Sequence, residues 1–433
     1  MALFKKQKPR PRKPLRRQRK PISLLTGAIV LFQVSAFALI AFKDGAIDAQ
    51  ALLLAVAMPA LCAFSTLILP KFCPCDRLLM ALMNFLCGVS VVVLYSMLPD
   101  RGLRQACFYA CGLVFMVLCA SVVTHLRAYR RLCWLIIPVG LIFLALPLAL
   151  GEWDNGAKAW VSVPFFGSFQ PSELVKLMLV VVLSYFFSAH RTIKQMLPAL
   201  LFTVGCLGLL FLQRDLGTAL MYYFTTIALF YAASSHLGLT LLGLGGGVAA
   251  SVLGYQMFSH VKVRVAMWRN PWSDALGKGW QIIQALLAIG SGGLFGLGLG
   301  LGQPRSIPAY YTDFIFAVIC EQFGILFGLC VIAVYMLIIV RGVTIALRSR
   351  RSQHALLALG CTTLLGVQTF VIIAGVIKMI PLTGVTMPFM SYGGSSLISC
   401  MGLMGFLQGV SACAQNDVAD DIALYDAQGG DGH

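Results

Sequence analysis

Long apolar runs separated by short polar breaks set the architecture of this chain. The hydrocarbon core of a bilayer is about 30 Å thick, so a crossing helix needs ~20 predominantly apolar residues. Runs of that kind occupy 22–42, 51–69, 78–98, 106–124 and 132–150 before the first sizeable polar stretch. Others follow at 174–189, 196–213, 216–233, 239–258, 313–340, 354–377 and 395–413. The pattern predicts an all-α polytopic membrane bundle of twelve spans. It lacks the short alternating strands of an outer-membrane barrel. The first run, beginning at Ile22, has no small-residue cleavage site and reads as a retained helix rather than a removed signal.

Charge then orients the spans, because Lys and Arg are kept on the cytoplasmic side. Ten of the first twenty residues are Lys or Arg. With that tail in the cytoplasm, Lys71 with Arg77, then Arg127, Arg130 and Arg131, then Arg191 with Lys194, and finally Arg348, Arg350 and Arg351 share its side. Both termini are therefore expected inside, with the loops 151–173, 259–312 and 379–394 facing outward. The chain divides into a basic cytoplasmic tail (1–21), N-terminal helices (22–150), a membrane core with the long loops (151–413) and an acidic cytoplasmic tail (414–433), the last expected to lack fixed structure.

Composition agrees: 59% of the 433 residues are hydrophobic and 11% charged. The net charge of +17 is concentrated in the N-terminal tail, which suits a topology signal and anionic headgroups rather than nucleic acid. Most of the fourteen Cys lie in apolar runs, where they act as small hydrophobes. Cys73 and Cys75 form a close loop pair, without the matching His or second Cys pair of a metal site.

Acids are scarce, so Asp313 and Glu321, beside the glycine-rich run GSGGLFGLGLGLG, need a reason. A carboxylate at membrane depth costs roughly 2.5–3.5 kcal/mol on insertion scales and by default marks a site facing a cavity or partner; the plain alternative is an ion pair or a helix cap. The glycines permit a re-entrant or closely packed segment, and their place between membrane helices excludes a dinucleotide-binding turn. In QPSELVK, Ser172 is the expected cap of the next helix, and Glu173 and Lys176 share a helix face. Asp215 reads as a cap. The segment 260–284 interleaves Lys262, Arg264, Arg269 and Lys278 with Trp268, Trp272 and Trp280, which suits either interfacial anchoring or the grip of a pyrophosphate and a sugar. Ser391, Tyr392, Ser395 and Ser396 offer hydroxyls in the last loop.

Taken together, GA-x-x-W with QPSE-x-x-K (Gly156 to Lys176), DLGT (Asp215 to Thr218), GWQIIQ with AIGSGG (Gly279 to Gly293), TDFIFAVI (Thr312 to Ile319) and PLTGVTMPFMSYGGSS (Pro381 to Ser396) resemble, in order, the motifs of the SEDS family, which includes RodA and FtsW. The resemblance covers roughly residues 150–412. It implies a helical membrane enzyme, a peptidoglycan glycosyltransferase that polymerises lipid II outside the cytoplasmic membrane, with growing undecaprenyl-pyrophosphate-linked glycan as its other substrate. A class B penicillin-binding protein, the transpeptidase that crosslinks the glycan, is the implied partner, and a divalent cation (Mg or Mn) is a possible cofactor. Asp313 is the implied catalytic aspartate. Implied substrate contacts fall on Lys158, Trp160, Gln170, Glu173, Lys176, Asp215, Arg264, Gln281, Ser291, Glu321, Ser391, Tyr392 and Ser395.

The chemistry of the residues agrees. A carboxylate at a low-dielectric boundary is a better general base near neutral pH, and cations such as Arg264 or Lys176 can stabilise a departing pyrophosphate. An α-linked donor and a β-linked product imply one inverting displacement, with Asp313 as base. The chain departs from the family pattern in having two extra N-terminal helices, Ala159 before Trp160 where Arg is common, Arg214 in place of Pro before DLGT, Asn270 in place of Asp before Pro271, and Gln322 in place of a second Glu. A lipid II flippase and a non-catalytic scaffold are the competing readings.

Overall fold

In hydrocarbon every backbone N–H and C=O must be paired inside the protein, which turns each apolar run into a helix. The computed structural model describes residues 20–43, 45, 47–125, 129–154, 157–163, 167–189 and 193–429; most of the basic tail, Arg127, Gly156 and Arg191 lie outside them. The first half contains α1 (Lys20–Ala41), α2 (Ala49–Ala63), α3 (Leu69–Phe72), α4 (Arg77–Met97), α5 (Pro99–His125), α6 (Tyr129–Leu150), α7 (Pro171–Ala189) and α8 (Ile193–Leu212). The second contains α9 (Leu216–Ser234), α10 (Leu237–Met257), α11 (Ser259–Arg269), α12 (Trp280–Gly292), α13 (Ile315–Phe323), α14 (Ile325–Arg348), α15 (Ser352–Val376) and α16 (Gly394–Gly429). A wide π-type turn, Phe64–Ile68, joins α2 to α3, making one span of the two.

Among the described residues, twelve spans are long and apolar enough to cross a membrane, as expected from the hydropathy pattern. α12 and α13, with 13 and 9 residues, are too short to cross. Residues 20 and 417 therefore lie at one end of the bundle. The segment 151–170, the α11–α13 region and the 377–393 loop lie at the other. In the first of these, β1 (Glu152–Asp154), β2 (Ala157–Val163) and β3 (Gly167–Phe169) form an antiparallel meander, with Val161 opposite Phe169.

α4, α7, α15 and α16 form the buried centre, and α1, α6, α8 and α10 face outward. α5 lies closely along α16. A Cβ on Gly405 would sit 2.3 Å from the Met116 carbonyl and one on Gly409 2.8 Å from that of Ala120, so small residues set this helix spacing.

Two expectations are corrected. The 313–340 run is not one helix: the chain breaks at Gly324 (φ +87°), leaving α13 apart from the spanning α14. The break serves a backbone-to-backbone contact. Leu297 N–H donates to Glu321 O (2.9 Å), Gly298 N–H to Gln322 O (3.0 Å) and Ile325 N–H to Gly293 O (2.9 Å). Non-helical backbone is tolerated at membrane depth where its groups are paired within the protein, and Gly324 itself is buried. The second correction concerns 414–429, the described part of the acidic tail. α16 continues to Gly429, because extending an existing helix avoids the cost of nucleation.

Gly324→Ala tests the break. A Cβ there would meet the Leu294 carbonyl at 2.3 Å at a positive φ, so the variant should lose about 2–4 kcal/mol and melt lower in detergent. Gly245→Ala on α10, where nothing lies within 4 Å of the added Cβ, should melt no lower than wild type. Equal melting of the two variants would contradict the role given to the break.

Candidate active site

Asp313 closes the irregular turn that precedes α13, and two loops hold that turn in place. The Thr312 hydroxyl donates to Ala309 O (3.2 Å) and Phe314 N–H to the same carbonyl (3.3 Å). From the 377–393 loop, the Ser391 hydroxyl donates to Thr312 O (2.6 Å) and accepts from Met387 N–H (2.8 Å), while Tyr392 N–H donates to Tyr311 O (2.9 Å). A carboxylate held this way changes position little when a substrate arrives.

Arg264, on α11, reaches across to the same loop. Its Nη1 donates to Thr383 O (2.8 Å) and Leu382 O (3.3 Å). Its remaining nitrogens make no hydrogen bond among the described residues. Gly384 (φ +78°) separates it from Asp313: a Cβ there would lie 3.5 Å from Arg264 Nη2 and 3.7 Å from Asp313 Oδ2. A side chain at 384 would therefore intrude between the two charges. Burial pushes the Asp313 carboxyl up to about 6, against the pull of Arg264 and the Thr312 hydroxyl. Burial also lowers the Arg264 guanidinium, which Asp313 and Asp215 partly restore.

Behind this pair runs a buried polar network. Lys176 is 1% exposed, with Nζ 2.5 Å from Glu173 Oε2 and donating to Gln368 Oε1 (3.2 Å). Ser399 on α16 donates to Glu173 Oε2 (2.6 Å). Gln368 on α15 donates to Thr386 O (2.8 Å), and the Thr386 and Ser396 hydroxyls are 2.6 Å apart. The network thus ties α7, α15 and α16 to the loop that holds Asp313. Asp215 caps α9 by accepting from Thr218 N–H (3.1 Å) and also accepts from Gln170 Nε2 (3.1 Å); burial raises its carboxyl. Arg214 before it takes φ +62°, which a proline ring cannot adopt. Pro171 is the first residue of α7, so Ser172 sits inside the first turn and is not the cap; Pro is favoured at that position because its missing N–H has no partner there.

The other sequence-predicted residues spread more widely. Lys158 donates to Leu148 O (2.8 Å), pinning β2 to the end of α6, and Trp160 lies half-buried on the same strand. Glu321, 4% exposed, accepts from Gln303 N–H (2.9 Å) and so supports the glycine-rich loop rather than facing Asp313. Gln281 is half-exposed on α12, and Ser291 is exposed there, donating to Ala288 O (3.0 Å). Tyr392 and Ser395 are half-exposed beside the Asp313 turn and at the start of α16. Trp268 and Trp280 donate to Lys378 O and Ser306 O, both at 3.1 Å, anchoring loops with their indoles.

Three supporting residues escaped the sequence reading. Arg101, at the start of α5, lies 3.6 Å above the Tyr311 ring and 5.4 Å from that of Tyr392. Gln105 donates to Ser391 O (3.1 Å), and Ser90 to Met390 O (2.7 Å). They brace the 377–393 loop and the Asp313 turn from helices 200–300 positions earlier, and no local pattern marks them.

The Lys176–Glu173 pair yields a stability prediction. Removing one member of a buried pair leaves an uncompensated charge and costs about 3–5 kcal/mol. Lys176→Met should melt well below wild type, and the double variant Glu173→Gln/Lys176→Met should recover part of that loss. A double variant less stable than Lys176→Met would show that the pair is not what Lys176 serves.

Comparison with known proteins places this geometry in a family. Residues 76–416 match the FtsW/RodA/SpoVE family model, described as cell cycle protein. The peptidoglycan glycosyltransferase RodA of Mycobacterium tuberculosis (strain H37Rv) is 32% identical over 92% of this chain and 91% of its own length. Stage V sporulation protein E of Bacillus subtilis is 33% identical over 71% of this chain and 86% of its own. A chain of a solved peptidoglycan synthase complex, described as coordinating polymerization and crosslinking, aligns with TM-score 0.65 and 28% identity over 79% of this chain and 98% of its own. The rod shape determining protein RodA of Thermus thermophilus aligns with TM-score 0.56 and 31% identity over 79% of this chain and 98% of its own. With its motifs in order, its twelve-span helical bundle and a family match over most of its length, this chain belongs to the FtsW/RodA/SpoVE family of cell cycle proteins, the SEDS family.

Proposed function

We propose that this chain is a peptidoglycan glycosyltransferase that polymerises lipid II on the outer face of the cytoplasmic membrane, with Asp313 as general base. The observation that carries the reading is a carboxylate, raised to about 6 and set in a turn held by two loops, that lies with Arg264 against Gly384. In the reaction an acceptor sugar hydroxyl attacks the anomeric carbon of a lipid-linked sugar. The new glycosidic C–O bond forms opposite the breaking C–O bond to pyrophosphate, whose oxygen takes the bonding pair. Asp313 accepts the hydroxyl proton. A carboxyl that titrates near 6 is ionised at neutral pH yet basic enough to assist. The nitrogens of Arg264 not spent on loop carbonyls face the charge that develops on the leaving group.

Among the atoms nearest a Cβ at Gly384, the carboxylate is that of Asp313. A Mg or Mn ion would therefore be held there by one carboxylate together with phosphate oxygens of the substrate, where it would neutralise leaving-group charge. Lys176 and Glu173 are enclosed and act by setting the loop, not by touching the sugar.

The orientation follows from the positive charges: both termini inside, and the Asp313 end outside, where a class B penicillin-binding protein would crosslink the product. The kinship with a chain of a peptidoglycan synthase complex supports that partner. A lipid II flippase remains the reading to test against, since broken helices and buried charges also serve transport.

Purified protein, supplied with its penicillin-binding protein, lipid II and a divalent cation, should yield glycan resolved on a gel. Asp313→Asn should lower the rate about 10²–10⁴-fold without changing the melting temperature. Equal product from the two proteins would remove Asp313 from the base role. Absence of glycan from wild type, with lipid II crossing vesicle membranes that contain it, would establish transport instead.

A further inference from the structure

At the end of the bundle opposite Asp313 lies a cavity of about 490 Å³, within the size range of ligand sites. α4 runs between the two ends over about 30 Å. Ile22, Leu25 and Leu78 give the cavity apolar walls, and Asp76, Arg77 and Arg341 give it charge. Asp76 is 5% exposed and fully engaged: Oδ1 accepts from Leu78 and Leu79 N–H, and Oδ2 accepts from Arg341 Nε (2.6 Å). That bond uses one edge of the Arg341 guanidinium. Among the described residues its two terminal nitrogens make no hydrogen bond, and neither does the Arg77 guanidinium. One carboxylate and two guanidinium groups leave the cavity one positive charge in excess.

Depth narrows the choice of ligand. Arg341 stands seven residues before the end of α14, about 10 Å inside it, while Ile22 and Arg77 lie at the starts of α1 and α4. The cavity therefore sits at the boundary between hydrocarbon and headgroups. Its apolar walls suit an acyl chain and its guanidinium groups a singly charged phosphodiester.

We propose that this cavity binds the headgroup of an anionic phospholipid. The site depends on the N-terminal extension of this chain. Ile22 and Leu25 come from α1, which precedes the family match beginning at residue 76, whereas the charged residues lie within it. The first helix thus completes a lipid site on a core that supplies the arginines, and this assignment stands whether or not the glycosyltransferase reading does.

The test is native mass spectrometry of the full chain in detergent, titrated separately with phosphatidylglycerol and phosphatidylcholine, then with inorganic phosphate as competitor. One phosphatidylglycerol should bind about fivefold or more tightly than phosphatidylcholine, from roughly 1 kcal/mol per cation near a lipid phosphate. Arg77→Gln should remove that preference, and Leu25→Trp, which leaves both arginines in place and fills the cavity, should reduce binding as well. Arg348→Gln, an exposed arginine at the same end of the bundle, should change nothing. Equal binding of the two lipids, an unchanged Arg77→Gln, or an equal effect of Arg348→Gln would overturn the proposal. Displacement of the lipid by inorganic phosphate at matching concentration would do so too, assigning the arginines to a soluble anion.

Discussion

Wherever a membrane chain leaves the helix, its carbonyls need donors, because lipid supplies none. That requirement shapes the reactive end of this protein. The turn before α13 and the loop before α16 are both irregular, and they satisfy one another. Ser391 donates to Thr312 O, Tyr392 N–H to Tyr311 O, Arg264 to Thr383 O and Gln368 to Thr386 O. Asp313 lies at the centre of this exchange without being consumed by it. Its fixed position and its raised basicity have one cause: a loop assembly closed tightly enough to exclude water on most sides.

The spans were legible in the sequence because apolar length is a local property, readable without neighbours. The break at Gly324 was not, since the run from Phe314 to Val340 is apolar except for Glu321 and Gln322 and is long enough for one span. What breaks the helix is the approach of residues 293–298 to 320–325, a contact between distant backbones. The β-meander was missed for a related reason: its strands are of three to seven residues, too short for an alternating pattern to stand out.

Of the site, the residues within motifs could be named in advance, and the structure sorts them by role. Asp313, Arg264, Ser391 and Tyr392 meet at one place. Lys176 and Glu173 lie behind it, while Lys158 and Glu321, charged and therefore conspicuous, spend their charge on the Leu148 carbonyl and the Gln303 amide. The reverse error concerns Arg101, Gln105 and Ser90. They lie in helices with no recognised motif, and their importance arises from contacts across nearly the whole chain. The N-terminal hairpin belongs to the same story. Lys43, just after α1, donates to Gly300 O, and Tyr95 to Asp48 at the start of α2, so the α1–α2 turn braces the glycine-rich loop at one end while α1 closes a cavity at the other.

Asp313 is proposed to act as the base, and the rate of glycan synthesis as a function of pH tests that most directly. Activity should fall as pH drops through about 6, as the carboxylate takes up its proton. Arg264→Gln, which removes the charge that favours ionisation, should move that limb to higher pH, and the residual activity of Asp313→Asn should show no limb in this range. A wild-type limb retained unchanged in Asp313→Asn would assign the titrating group elsewhere and contradict the mechanism.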